Sequence, residues 1–293
     1  PRPRGGVLSV VSVLVVSWAL GYAVSGTTVP YLSTAARDST ILGTVDRVMP
    51  SQASGVLRAF SDVIDANLFP RYLDPFDSED IVRVGPPDPA TLQLPGVEQA
   101  AASVVKILGE ASCERGIEGT GFVFAPDRVM TNAHVVAGVS EPDVITTEGS
   151  FAAKVVVFDP ELDVAVLAVD LDLPALEFDT RGEAGQDAAV LGYPGNGPFD
   201  AQAARIRERI RLKSPDIYDV GQHVRESFSI RSLVRSGNSG GPLVSTEGLV
   251  LGVIFAASIT DANTGYALTA EQVAGAAETG RTATSSVDTG GCA

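Results

Sequence analysis

Only two cysteines and two histidines occur in the 293 residues. Cys113 and Cys292 lie far apart, without the close spacing of metal-binding pairs, so neither a metal nor another cofactor is expected. Positive charge is also scarce: 21 Lys and Arg stand against 36 Asp and Glu, a formal net charge of −15. That balance disfavours nucleic acid as a partner but says nothing about fold. No strong internal repeat is present. The marks of a disordered chain are missing too, since 45% of residues are hydrophobic. With 30 glycines and 18 prolines, packed cores with many turns are expected.

Charge is absent altogether from Val7 to Val24, a run preceded by Arg2 and Arg4. A helix needs roughly 20 apolar residues to cross the hydrocarbon core, so this run barely suffices, and Ser9, Ser12 and Ser17 weaken it. Trp18 and Tyr22 suit an interfacial end, and Ser25-Gly26-Thr27 offers no Ala-x-Ala cleavage site. The reading is a membrane helix over residues 1–26, with the arginine side cytoplasmic and the rest outside; a buried soluble helix is the alternative. The first residue is Pro, not Met, so a fragment or processed product is expected.

Over 27–74 the pattern turns to amphipathic helix, with Ile41, Leu42, Val45 and Val48, then Val56, Leu57, Phe60, Ile64 and Leu68, at three- and four-residue steps. The acidic, proline-rich stretch 75–96 reads as an extended linker. From 97 the texture is all-β: short apolar runs such as Ser103–Ile107, Gly121–Phe124 and Lys154–Phe158, about 10 to 15 residues apart, suit a barrel or sandwich.

The residues that carry chemistry sit in this last region. A serine hydroxyl needs a base, a group to orient that base, and donors for the oxyanion. Ser239 lies in Gly237-Asn238-Ser239-Gly240-Gly241-Pro242, where Gly237 can adopt angles closed to other residues. The N–H groups of Gly237 and Ser239 are the candidate oxyanion donors. A strand, not a helix, follows, which argues against a hydrolase elbow. The candidate base is His134 in Thr131-Asn132-Ala133-His134, after the two-strand signature Gly119–Phe124 and the turn at Pro126-Asp127. The candidate orienting carboxylate is Asp163, heading Val164-Ala165-Val166-Leu167. Each signal is weak alone. The order His, Asp, Ser is the chymotrypsin order and differs from those of subtilisin and the α/β-hydrolases.

These three motifs resemble those of the bacterial trypsin-like, HtrA-type proteases. Two departures from that pattern are expected: no PDZ domain after the second of two barrels, and a membrane segment with helices before the first. That arrangement is similar to the actinobacterial membrane-anchored periplasmic serine proteases linked to acid resistance, of whose membrane part only the last helix falls within this sequence. The resemblance implies an all-β chymotrypsin-like fold of two six-stranded barrels. Barrel 1 would cover about 97–182 and barrel 2 about 183–276, with a tail to 293 and the site in the cleft between. It implies a membrane-anchored endopeptidase facing the periplasm that processes cell-envelope proteins under acid or oxidative stress. A catalytically silent, membrane-anchored peptide-binding scaffold is the alternative.

Cys113 and Cys292 are expected to bond in an exported domain, a link worth about 5 kcal/mol in the chain-entropy model. A staple for the C-terminal tail is the plain reading and redox control the sharper one. Arg205, Arg207, Arg209 and Arg211 alternate, which reads as an ion-paired strand face, with a patch for acidic segments as the alternative. His223 has no nameable partner. The specificity pocket is assigned to Leu233, Phe255, Ala256 and Gly265; Leu233, six residues before Ser239, puts no acid at the floor. The base must be neutral, so activity is expected to fall in acid. The protease domain is expected to be monomeric, with the 74–95 linker a candidate self-cleavage site.

Overall fold

The computed structural model describes residues 13–18, 20, 39–48, 79–113, 115–258 and 260–293. They fall into two units, Pro1–Asp80 with Ser258–Ala262, and Ile81–Ala257 with Asn263–Ala293. In the first, residues 13–18 are helical and α1 spans Thr40–Val48. Ser39 caps α1, its Oγ accepting the Leu42 N–H at 3.3 Å. No helix among the described residues is long and apolar enough to cross a membrane. The expected span over 1–26 lies outside the described residues except for 13–18 and 20, and the second amphipathic stretch lies wholly outside them.

The second unit is mostly strand. β1 (Val104–Glu110), β2 (Gly116–Ala125), β3 (Arg128–Thr131), β4 (Asp143–Thr146), β5 (Gly149–Ala152), β6 (Lys154–Asp159) and β7 (Val164–Ala168) form one antiparallel sheet in the order β5-β4-β1-β2-β3-β7-β6. This departs from the expected six-stranded barrel: there are seven strands and the two edges share no ladder. The reason is local. Only Ala153 separates β5 from β6, so the chain itself carries one edge round to the other. The sheet curls over a core that includes Val105, Ile107, Val123, Val129, Ala165 and Leu167.

The remaining strands, β8 (Asp187–Gly192), β9 (Asp200–Ser214), β10 (His223–Arg231), β11 (Pro242–Ser245), β12 (Val250–Ala257) and β13 (Thr264–Thr269), close into a six-stranded barrel in the order β10-β13-β12-β11-β8-β9. Short α2 (Pro95–Ala101) precedes β1, and α3 (Ala270–Thr282) follows β13.

Helix α3 leaves the barrel and packs on the first sheet. A Cβ on Gly280 would stand 2.7 Å from Val166 Cγ1, so only glycine allows this approach. That contact explains why β7 is apolar on both faces: Ala165 and Leu167 join the inner core, while Val166 lies under the helix. Thr269 Oγ1 caps the helix start by accepting the Gln272 N–H. At the other end Arg128 donates to the Gly280 and Ala283 carbonyls at 2.7 and 3.0 Å, where the helix dipole favours a cation.

The segment expected to be a free linker is tied down from Ile81 onward. Arg207 Nη1 donates to the Val82 carbonyl at 2.7 Å and Arg231 Nη1 to that of Val84 at 2.6 Å. Asp88 caps the 3-10 turn Pro89–Gln93, and Gly96 rests on the Glu247–Gly248 backbone. Most of the arginine row is likewise paired. Arg205 meets Asp187, Arg207 is buried against the strap, and Arg209 bridges Glu226 and Glu271.

Candidate active site

The site is assembled from two turns of the first sheet and one of the barrel. After β3 the chain enters the turn that carries His134, closed by the Val136 N–H on the Ala133 carbonyl at 3.0 Å. Ala133 and Ala137 of this turn pack with Ile217, from the connection between β9 and β10. Between β6 and β7, Asp159 Oδ1 accepts the N–H groups of Glu161 and Leu162 at 3.0 and 2.9 Å. This tight turn delivers Asp163 in a left-handed conformation, φ 64°, and fully buried. Asp tolerates such angles better than most residues do.

A buried carboxylate needs hydrogen-bond donors, and His134 supplies two. The His134 main-chain N–H donates to Asp163 Oδ1 at 2.9 Å, and the ring Nδ1 lies 2.8 Å from Oδ2. One side chain thus fixes both the main chain and the ring of its neighbour. Asn132 completes the arrangement, its Nδ2 donating to the Asp163 carbonyl at 2.8 Å. With Nδ1 facing the carboxylate, Nε2 is the ring nitrogen left for proton exchange.

Ser239 arrives from the barrel and is held by its main chain. Its carbonyl accepts the Thr120 N–H at 2.9 Å. The next residue, Gly240, has φ 82°, and a Cβ there would stand 2.2 Å from Thr131 Oγ1 and 3.0 Å from Asn132 N. The serine turn therefore sits directly on the segment that leads into His134. No hydrogen bond of the Ser239 hydroxyl is present among the described residues; in unliganded sites a base–nucleophile bond commonly tightens only with substrate.

The loop before Ser239 is fixed from several sides. Asn238 closes it, donating its N–H to the Arg235 carbonyl and accepting the Arg235 N–H on Oδ1, both at 2.9 Å. Gly237 has φ 88°, and its carbonyl accepts Thr120 Oγ1 at 2.6 Å. Gly237 and Ser239 are both buried, yet among the described residues neither N–H meets a protein acceptor. Main-chain N–H groups of buried residues are nearly always paired, so these two remain the candidate donors to an incoming oxygen.

The residues assigned to the specificity pocket are only partly together. A Cβ on Gly265 would lie 2.4 Å from Val234 Cγ2 and 3.6 Å from the Ala256 carbonyl, so these three are neighbours. Leu233 is 40% exposed, and Phe255 is fully buried. Val234, next in sequence to Leu233, is buried. His223 does have a partner, its Nδ1 lying 3.3 Å from the Glu161 carboxylate.

Cys113 and Cys292 form a disulfide with Cα atoms 6.4 Å apart. The tail it holds also bonds to the first sheet: the Val287 N–H donates to the Val155 carbonyl, and the Gly138 N–H to that of Thr289. Tyr218, next to Ile217, donates to the Thr289 carbonyl at 3.1 Å. Burial pushes its phenol above the ordinary range, assisted by Asp216 and Asp288, so it remains a donor at neutral pH.

Thr120 and Asn132, which brace the Ser239 and Asp163 segments, were not singled out in the sequence. Both lie within motifs that were read, but only their contacts, not their spacing, reveal their roles.

Comparison with known proteins gives a consistent picture. The model of the family described as "Trypsin-like peptidase domain" matches residues 119–253. The serine protease Rv3671c of Mycobacterium tuberculosis is 44% identical over 291 residues, covering 97% of this chain and 73% of that protein. The crystal structure of the M. tuberculosis Rv3671c protease in its active form has a TM-score of 0.71 at 49% identity, over 75% of this chain and 98% of the other. The HtrA-type protease AlgW with a tripeptide shares the fold, with a TM-score of 0.57 at 23% identity over 64% of this chain and 62% of its own. The chain belongs to the trypsin-like, HtrA-type serine proteases and is a serine endopeptidase.

Proposed function

We propose that the chain cleaves proteins of the cell envelope from a membrane anchor, outside the cytoplasm, with Ser239 as nucleophile, His134 as base and Asp163 as orienting group. The observation that carries this reading is the Asp163 carboxylate bridging the main chain and ring of His134, on the segment against which the Ser239 turn is seated. Ser239 Oγ attacks the scissile carbonyl as His134 Nε2 takes its proton. The oxyanion is received by the N–H groups of Gly237 and Ser239, each worth about 2.7–4 kcal/mol in such sites. His134 then protonates the leaving amine, and water hydrolyses the acyl-enzyme by the same route.

The anchor is placed in residues 1–26, with juxtamembrane helices over 27–74 and the protease domain from 97 onward. Support for an extracytoplasmic site comes from the disulfide, which suits an oxidising compartment. A relative in Halomonas elongata, 35% identical over 145 residues, is a probable periplasmic serine endoprotease. Action under acid or oxidative stress is the physiological setting we assign. Val234, Ala256 and Gly265 offer an apolar, narrow wall, so small to medium apolar side chains are the expected preference before the scissile bond.

The test compares new protein N-termini in envelope fractions exposed to the active enzyme and to Ser239→Ala. Termini that follow apolar residues and vanish with the variant are expected. Equal termini in both samples would remove Ser239 from the reaction.

A further inference from the structure

Lys106 stands outside the candidate triad, yet the contacts of its ammonium group lead toward the candidate oxyanion donors. On β1 it pairs with Thr120 of β2, so the two side chains share one face of the sheet. Its Nζ donates to the Asn196 carbonyl at 2.8 Å and to Asn196 Oδ1 at 3.0 Å, and lies 5.5 Å from the centre of the Tyr193 ring. It makes no ion pair among the described residues. A cation that gathers two acceptors of one residue and an aromatic face, all in one loop, can tie that loop to the sheet even at an exposed position.

That loop bears directly on Gly237. The 3-10 turn Pro194–Asn196 contains two successive left-handed residues, Gly195 at φ 59° and Asn196 at φ 53°. A Cβ on Gly237 would meet the Tyr193 carbonyl at 2.6 Å and Gly195 N at 2.7 Å, so main chain rests on main chain. The Gly195 N–H donates to the Ser236 carbonyl at 2.8 Å. A trans peptide is planar, with its C=O and N–H opposed. Holding the Ser236 carbonyl on Gly195 therefore turns the Gly237 N–H to the opposite side, where it meets no protein acceptor among the described residues. Thr120 braces the same loop, its Oγ1 accepting the Tyr193 N–H at 2.9 Å while donating to the Gly237 carbonyl.

We infer that Lys106 is a positioning residue for the oxyanion hole: by tying Asn196 to the first sheet it keeps Gly195 on the Ser236 carbonyl, and so keeps the Gly237 N–H aimed at the reacting oxygen. The inference rests on the nucleophile and donors proposed above. Without the tie, the loop is held by Thr120 alone, the Gly195 bond to the Ser236 carbonyl is loosened, and one donor is misdirected for part of the time. Removing a donor outright costs about 10²–10³ in kcat, so loosening it is expected to cost about tenfold.

The experiment uses the whole chain with Lys106→Met, which keeps the stem but removes the donors, and with Lys106→Arg, which restores charge and donors. A fluorophosphonate titrates active sites and gives a labelling rate per site; labelled casein gives kcat and KM. For Lys106→Met the expected result is full labelling stoichiometry, a labelling rate and kcat each about tenfold lower, and unchanged KM, with Lys106→Arg recovering most of the loss. A kcat per titrated site within twofold of the parent overturns the inference, as does a rise in KM alone. Reduced stoichiometry with a normal rate per remaining site also overturns it, since that is a folding defect. Absence of labelling in the parent chain would overturn the nucleophile assignment and this inference together, whereas normal labelling of parent and variant alike overturns this inference alone.

Discussion

An Asp163→Asn substitution exchanges one carboxylate oxygen for an NH2 group and leaves nearly everything else in place. Asn adopts the left-handed angles at this position as readily as Asp does, so φ 64° is retained. The amide oxygen can still accept the His134 main-chain N–H, now at 2.9 Å, and Asn132 continues to hold the 163 carbonyl. Only the contact with Nδ1, now 2.8 Å, is inverted. Facing a donor, Nδ1 must become an acceptor, and the ring proton moves to Nε2, the atom that has to receive the serine proton. In a triad of this kind that change lowers kcat by about 10⁴, or about 5.5 kcal/mol of transition-state stabilisation. The folded state loses one charge-assisted bond, on the order of 1.5–3 kcal/mol, and each kcal/mol corresponds to about 2–4 °C in a domain of this size. Hydrolysis of labelled casein and a thermal melt, on the same preparation, separate the two effects. A kcat within tenfold of the parent in a folded variant would refute the tautomer argument. So would a loss of activity that merely follows the unfolded fraction.

Replacing Cys113 and Cys292 together by Ser opens a link between residues 179 apart, worth about 5 kcal/mol in the chain-entropy model. With a urea slope of roughly 2–3 kcal/mol/M, the unfolding midpoint should drop by about 2 M; a drop below about 0.5 M would mean the link constrains little. Self-cleavage, if the strap stays docked, falls before Ile81, because Arg207 and Arg231 hold the Val82 and Val84 carbonyls. N-terminal sequencing of the released fragment reads this, and a terminus within 82–94 that is absent from Ser239→Ala would contradict it. Ile217→Ala removes the apolar contact behind the His134 turn and should cost about 2 kcal/mol in stability with a measurable fall in kcat; unchanged kcat would show that the turn holds its shape alone.

The triad candidates were legible because their signals are local. A glycine-rich serine turn, a His after a two-strand signature and an Asp before an apolar strand each leave a mark in a few residues, and their order completes the case. What supports them was not legible, because it depends on residues brought together only by the fold. Lys106 and Asn196 are 90 positions apart, and nothing in either neighbourhood points to the other. The acidic, proline-rich composition of 75–96 is the same for a free linker and a docked strap. The difference lies in Arg207 and Arg231 on distant strands, and Arg207 had been read as one of a row of surface charges. The seventh strand of the first sheet escaped notice because β5, Gly149–Ala152, is short and largely exposed, so it carries no apolar alternation.

The central claim is that Ser239 is an activated nucleophile, and mass mapping of a fluorophosphonate adduct on the folded chain tests it most directly. The account predicts one adduct per molecule, on the peptide containing Ser239, and loss of that adduct in both His134→Ala and Asp163→Asn on the time scale of parent labelling. Labelling at another residue, or labelling of Ser239 that survives removal of His134, would contradict it.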